Sequence, residues 1–180
     1  VIRVVTLARL DPADVTALTK TLYRAFGVGT EHAGDREAPA ANGPRGRVDA
    51  VGLIAAAPPV RAFADDKVLF ITDRPLSVPE GPLGEPPAYG FSEYGGRSAA
   101  VTLATLPARG VSESSIEAWR RRLARESIHF IGHLWGLHHC CDARCAMHPS
   151  WSQSLSPTPD ADLCTFCREK SEDRIRSAKT

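Results

Sequence analysis

The chain has 180 residues, a length that favours one domain and excludes two large ones. Hydrophobic residues make up 43% and charged residues 24%, ordinary globular usage that fits neither wholesale disorder nor a membrane protein. With 22 Lys and Arg against 21 Asp and Glu the net charge is +1, so no global field draws the chain to nucleic acid or to anionic lipid.

Val1 to Leu7 is rich in β-branched residues and reads as a strand, not as a signal peptide. No run approaches the ~20 apolar residues that span a bilayer, so a cytoplasmic protein is expected. Asp11-Pro12 then offers an N-cap with proline at the first helical position, and Val15, Leu18, Leu22 and Phe26 recur at helical spacing until Gly27. Gly27 to Arg47 is loop chemistry with room for one short edge strand, and Val48 to Ala57 reads as a short helix stopped by Pro58-Pro59. Lys67 to Thr72 contains Val-Leu-Phe-Ile, as expected of a strand buried on both faces, and Asp73 to Pro87 is a proline-rich connection. Tyr89–Glu93 and Arg97–Leu106 flank Gly95-Gly96, which predicts a β-hairpin. Ser114 to Glu117 fits a capping box, and Ile116, Trp119, Leu123, Phe130 and Leu134 make a helical apolar stripe running to Gly136. Cys140 to Cys167 reads as loop, followed by a charged tail from Arg168.

His129 and His133 are four residues apart on this last helix and point from one face, so they can close on a single ion. Gly136 allows a sharp turn three residues later, and His139, three further on, can swing back as a third imidazole. Three neutral nitrogens leave one position open on zinc, the coordination that a catalytic site needs. The adjacent His138 is less well spaced from Gly136, and His32 and His148 read as exposed or satisfied in the core. Glu126, one turn before His129, reads as a surface residue or a support to the ligands. All five cysteines lie between Cys140 and Cys167, a clustering that points to metal and not to a secreted disulfide framework.

The pattern His-x-x-x-His-x-x-Gly-x-x-His resembles that of the metzincin clan of zinc peptidases. Within the clan, His139-Cys140, Cys145-Ala146-Met147 and Cys164-Thr165-Phe166-Cys167 resemble the archaemetzincin family. The resemblance covers Glu126 to Cys167. It implies that His129, His133 and His139 hold an active-site zinc with Met147 in the turn beneath them, and that Cys140, Cys145, Cys164 and Cys167 hold a second, structural zinc. Two zinc ions per chain are therefore expected, the second in a closed thiolate cage that fastens a segment with little core of its own. Cys141 is left over and competes with Cys140 as a ligand.

In active members of the family the residue after the first His is Glu, the base that takes a proton from the attacking water. Here it is Phe130, which accepts no proton. Loss of a general base typically removes about 10²- to 10⁴-fold in rate, so a peptidase with inactive or strongly impaired hydrolysis, a pseudoenzyme, is expected. The fold expected over residues 1–180 is a single α+β domain: a mixed twisted sheet with helices, a long zinc-binding helix and a four-cysteine zinc segment over 140–167. A peptide or protein substrate would lie extended along an edge strand, for which the 89–106 hairpin is the candidate. The alternative is a non-catalytic zinc-binding protein that binds peptides or other partners. Arg120, Arg121, Arg122 and Arg125 form a local positive face, read as a solvated helix surface; neither nucleic acid nor membrane is expected as a partner.

Overall fold

Ile2–Thr6 forms β1, and Asp11 caps the helix that follows, α1 (Pro12–Phe26), by accepting from Ala13 N–H at 2.8 Å. Gly27 ends α1 with a φ of 64°, a left-handed cap that glycine takes without strain. This computed structural model describes residues 1–40, 43, 46–57, 60, 65–78, 88–149 and 161–178. Pro58-Pro59 and most of the proline-rich connection, over 79–87, lie outside the described residues.

The remaining elements are β2 (Thr30–Asp35), β3 (Val48–Asp49), α2 (Ala50–Ala56), β4 (Lys67–Thr72), β5 (Leu76–Ser77), β6 (Gly90–Ser92), β7 (Ser98–Thr102), α3 (Glu113–Leu134) and α4 (Thr165–Ser177). The main sheet has the order β2-β1-β4-β7-β6, with β6 antiparallel to β7 and the other pairings parallel. The second sheet is the short parallel pair β3 and β5. It is the expected mixed sheet, and the reason for the continuous apolar run in β4 is plain. Leu69 and Ile71 face a core shared with Ile2, Val4, Leu18, Leu22, Leu123 and Ile128, while Val68 and Phe70 face the other side, against Leu53, Val48 and Leu76. Helices thus cover both faces: α1, α3 and α4 on one, α2 on the other.

Three local expectations are corrected. The cap of α3 is Ser112, which accepts from Ser115 N–H at 3.2 Å, so the helix begins before the Ser114–Glu117 box. The charged tail is largely helix: Cys167, Ser171 and Ile175 recur every fourth residue and are its buried positions. The arginine face is solvated only in part, at Arg121, whose side chain is 41% exposed. Arg120 bonds Asp14, Arg121 pairs with Glu117, Arg122 pairs with Glu126, and Arg125 is 1% exposed. The cause is that every residue of α3 from Leu123 to His129 is buried, because the helix dives through the molecule beneath the sheet. No helix among the described residues is long and apolar enough to cross a membrane.

Candidate metal centre

α3 delivers His129 and His133 to one end of the sheet, beside the edge strand β6. The helix stops at Leu134; Gly136, with a φ of 75°, turns the chain, and Leu137 N–H closes back on Gly132 O at 2.9 Å. That reversal returns His139, and the ligand nitrogens of His129, His133 and His139 lie within 4.8 Å of one another. His129 is buried, His133 half-buried and His139 exposed, so the cluster opens to solvent on one side.

The hydrogen bonds settle which nitrogens face inward. His129 Nδ1 is 2.9 Å from Ala146 O and His133 Nδ1 is 2.8 Å from Leu137 O. A carbonyl only accepts, so each Nδ1 carries the proton and each Nε2 presents a lone pair. The two Nε2 atoms are 3.0 Å apart. Two lone pairs converging at that distance, with a third imidazole beside them, are a donor set for a cation. Burial and the neighbouring His133 push His129 down to about 3, and burial also lowers His133 and His139, so all three rings favour the neutral form that a metal would require.

Phe130 lies against this cluster, its ring edge-on to His129 with centroids 5.2 Å apart. It fills the gap between α3 and β6: a Cβ built on Gly90 would meet Phe130 ring atoms at 2.5 and 2.7 Å. Among the described residues no carboxylate joins the three histidines as a possible ligand. Glu126 is buried and bound to Arg122 at 3.1 Å, and Arg122 lies over the Tyr89 ring at 4.9 Å, so this carboxylate ties the helix to the start of β6.

Met147 is fully buried beneath α3, where a Cβ on Gly132 would meet its Sδ at 2.3 Å. The loop that carries Met147 is gripped by Arg125, which donates to the carbonyls of Ala143, Arg144 and Cys145 at 3.3, 3.1 and 2.6 Å. Sequence reasoning missed this clamp, since nothing in the sequence separates Arg125 from the three other arginines around it. His138 is not one of the three clustered histidines and stacks on Tyr94, and His32 lies on β2 at the opposite edge of the sheet, 2.9 Å from Thr6 Oγ1.

Cys140, Cys145, Cys164 and Cys167 form the second cluster, with their sulfurs within 4.8 Å of one another, and all five cysteines are free thiols. Cys141 is exposed and outside the cluster. The Cys140 and Cys164 sulfurs are 3.8 Å apart, too far for a disulfide and matching the edge of a tetrahedron with metal–sulfur bonds of about 2.3 Å. The N–H groups of Met147 and Cys164 both point at Cys145 Sγ from 3.4 Å, which favours a thiolate there. Burial pushes the Cys145 thiol up to about 11 and raises Cys167, while Cys164, despite its own burial, is held low by the Cys167 N–H and the neighbouring thiols. Thiols that resist losing protons together are a cage that a divalent cation completes.

A sequence profile described as Peptidase family M54 matches residues 88–173, the stretch that carries β6, β7, α3 and both clusters. The archaemetzincin of Methanopyrus kandleri is 33% identical over 114 residues, which cover 63% of this chain and 58% of that protein. That of Halobacterium salinarum is 30% identical over 112 residues, covering 60% and 62%. The alignments thus span about six tenths of the length of these curated relatives. Among solved structures, the archaemetzincin of Methanopyrus kandleri superposes with a TM-score of 0.77 at 23% identity, covering 97% of this chain and 94% of that one. The archaemetzincin of Archaeoglobus fulgidus, complexed with malonate, does so with a TM-score of 0.72 at 22% identity, covering 94% and 98%. Fold, profile and relatives agree with the two clusters: over residues 88–173 the chain is similar to peptidase family M54, and its fold is that of the archaemetzincin structures.

Proposed function

We propose that this chain is an archaemetzincin-type zinc metallopeptidase in which both metal sites are kept and peptide hydrolysis is lost or strongly impaired. His129, His133 and His139 would hold one ion, and Cys140, Cys145, Cys164 and Cys167 a second, structural one. The donor sets support zinc at both: neutral nitrogens with converging lone pairs at the first, four thiols at the second. The chemistry that zinc supplies from a three-nitrogen site is Lewis acidity toward a carbonyl and toward water. The five free thiols are in keeping with a reducing compartment such as the cytoplasm.

The observation that carries the impairment is Phe130. The family resemblance implies a carboxylate at this position to accept a proton; the phenyl ring accepts none and occupies the space between the histidines and Gly90 of β6. A peptide would lie extended along β6, its backbone paired with the sheet edge and a side chain against Phe130, and would be held without being cut.

Elemental analysis of metal-saturated protein tests the sites: two zinc ions are expected, falling to one in His133→Ala with the fold intact. Cys164→Ala is expected to unfold or aggregate the chain, because a structural zinc contributes roughly 10 to 16 kcal/mol in small finger peptides, as much as a whole domain's stability. Phe130→Glu is expected to raise peptide cleavage by about 10²-fold or more over a near-zero parent rate, with Phe130→Glu/His133→Ala as control. A parent protein that already cleaves at ordinary metallopeptidase rates, and loses this on His133→Ala, overturns the assignment of Phe130.

A further inference from the structure

The turn between β6 and β7 is docked on the end of the histidine helix. Gly95, at a φ of 69°, donates its N–H to His133 O at 2.9 Å, and Lys67 Nζ holds Gly96 O at 2.8 Å from the sheet side. Tyr94 makes the closest approach. Its hydroxyl is 2.5 Å from Gly136 O and 2.8 Å from His138 Nε2, and its ring stacks on His138 with centroids 4.6 Å apart and planes 25° from parallel.

The direction of these bonds follows from the groups. The Gly136 carbonyl only accepts, so the single hydroxyl proton goes there, and the hydroxyl oxygen accepts from His138 Nε2–H. His138 therefore has its Nε2 engaged and one ring face covered by Tyr94. The Gly136 carbonyl belongs to the turn whose next residue, Leu137, supplies the acceptor for His133 Nδ1. Two adjacent histidines follow Gly136, and either offers an imidazole within one residue of the same place.

We propose that Tyr94 is a positioning residue for the three-histidine site: by holding Gly136 O and the His138 ring it selects His139 as the third nitrogen and keeps His138 out. This rests on the metal reading above. Supports of this kind, one bond removed from the ligands, typically change metal affinity by about 10- to 100-fold when lost.

The test uses cobalt(II) as the probe, titrated into full-length protein whose four-cysteine site is filled with zinc, and followed by visible absorption. In the Tyr94 parent, His139→Ala is expected to weaken cobalt binding at least 10-fold and His138→Ala by less than 3-fold. Tyr94→Ala is expected to weaken binding by about 10- to 100-fold, to shift the cobalt absorption band, and to shrink the gap between His138→Ala and His139→Ala. Tyr94→Phe, which keeps the ring and loses both bonds, should fall between. Tyr94→Ala with parental affinity and band shape overturns the proposal, and so does a loss that strikes the four-cysteine site equally. A parent protein that binds no cobalt at its histidines overturns the metal reading and this proposal together; a parent that binds while its Tyr94 variants bind equally well overturns this proposal alone.

Discussion

Gly132→Ala perturbs the point where the histidine helix touches the methionine turn, and the structure sets the size of the effect. The new Cβ would stand 2.3 Å from Met147 Sδ, 3.1 Å from its Cε and 3.4 Å from Leu137 Cδ1. Comfortable contacts are roughly 3.5–4.0 Å, so the thioether has to withdraw by more than about 1 Å. Methionine is adaptable, but Met147 is fully buried, and its backbone is pinned by Cys140 N–H on its carbonyl at 3.0 Å and by Cys145 Sγ on its own N–H at 3.4 Å. Overpacking of this kind costs about 1–3 kcal/mol, against which alanine gains about 1 kcal/mol over glycine inside a helix. A net loss of about 0–2 kcal/mol is expected. Met147→Ala alone should cost about 2–5 kcal/mol by leaving a cavity. The double variant places the new methyl in the vacated space, so its loss should fall short of the two singles added by about 1–3 kcal/mol. Chemical denaturation of all four proteins at one fixed free-zinc concentration measures this cycle. Gly132→Ala stabilised by the full helical gain, or a strictly additive cycle, would refute the packing argument.

Three further outcomes are expected. His129 is held near 3 against an ordinary 6.5, so between those values the unfolded chain binds the proton that the folded one refuses; metal-free protein should lose stability as pH falls from about 6.5 toward 3, by up to roughly 4 kcal/mol, with a flatter pH–stability curve in His129→Gln. Arg125→Met removes a buried cation from three carbonyls of the loop that carries Cys145 and should cost about 2–4 kcal/mol in denaturation, with weaker zinc retention at the thiolate cluster in a chelator competition. Burial alone would raise the Asp14 carboxyl, but bonds from Arg109 and Arg120 outweigh it and hold it below its ordinary value, so its contribution is present above about pH 4 and fades below. With both arginines about a third exposed, Asp14→Ala should cost about 1–3 kcal/mol by thermal melting at pH 7 and less at pH 3.

What could be read from the sequence is what local chemistry decides. Asp11-Pro12 and Gly27 bound α1 because caps act over one turn, and β4 is a continuous apolar run because a central strand is covered on both faces. β2 was legible only as room for a short edge strand: Thr-Glu-His-Ala-Gly-Asp has no strand pattern, and its six residues are held by pairing with β1, an interaction that the segment's own residues do not announce. The arginines of α3 misled for a related reason. A run of charges normally marks a solvated face, but a 22-residue helix that passes through the centre must bury some of its polar positions, and which of them find partners depends on Asp14, Glu126 and three loop carbonyls brought there by the fold.

The candidate site divides along the same line. Candidate ligands are legible because an ion demands particular atoms at distances that only certain spacings reach, so His129, His133, His139 and the four cysteines stand out from the sequence alone. The groups that aim them do not stand out. Ala146 O and Leu137 O fix the imidazoles of His129 and His133, and any residue at those positions would offer the same carbonyl; their contribution lies in where the backbone runs. Phe130 joins the two levels. By the family resemblance it stands where a base is expected, but only its fit over Gly90 shows that the ring fills the gap between the helix and β6, so a carboxylate introduced there enters a space shaped for a larger, flatter side chain. A gain well below 10²-fold in Phe130→Glu would then report misplacement by about 1 Å, and not the absence of a working metal site. The two cases separate by affinity: a misplaced base leaves cobalt binding at the three histidines as tight as in the parent, whereas a damaged site does not.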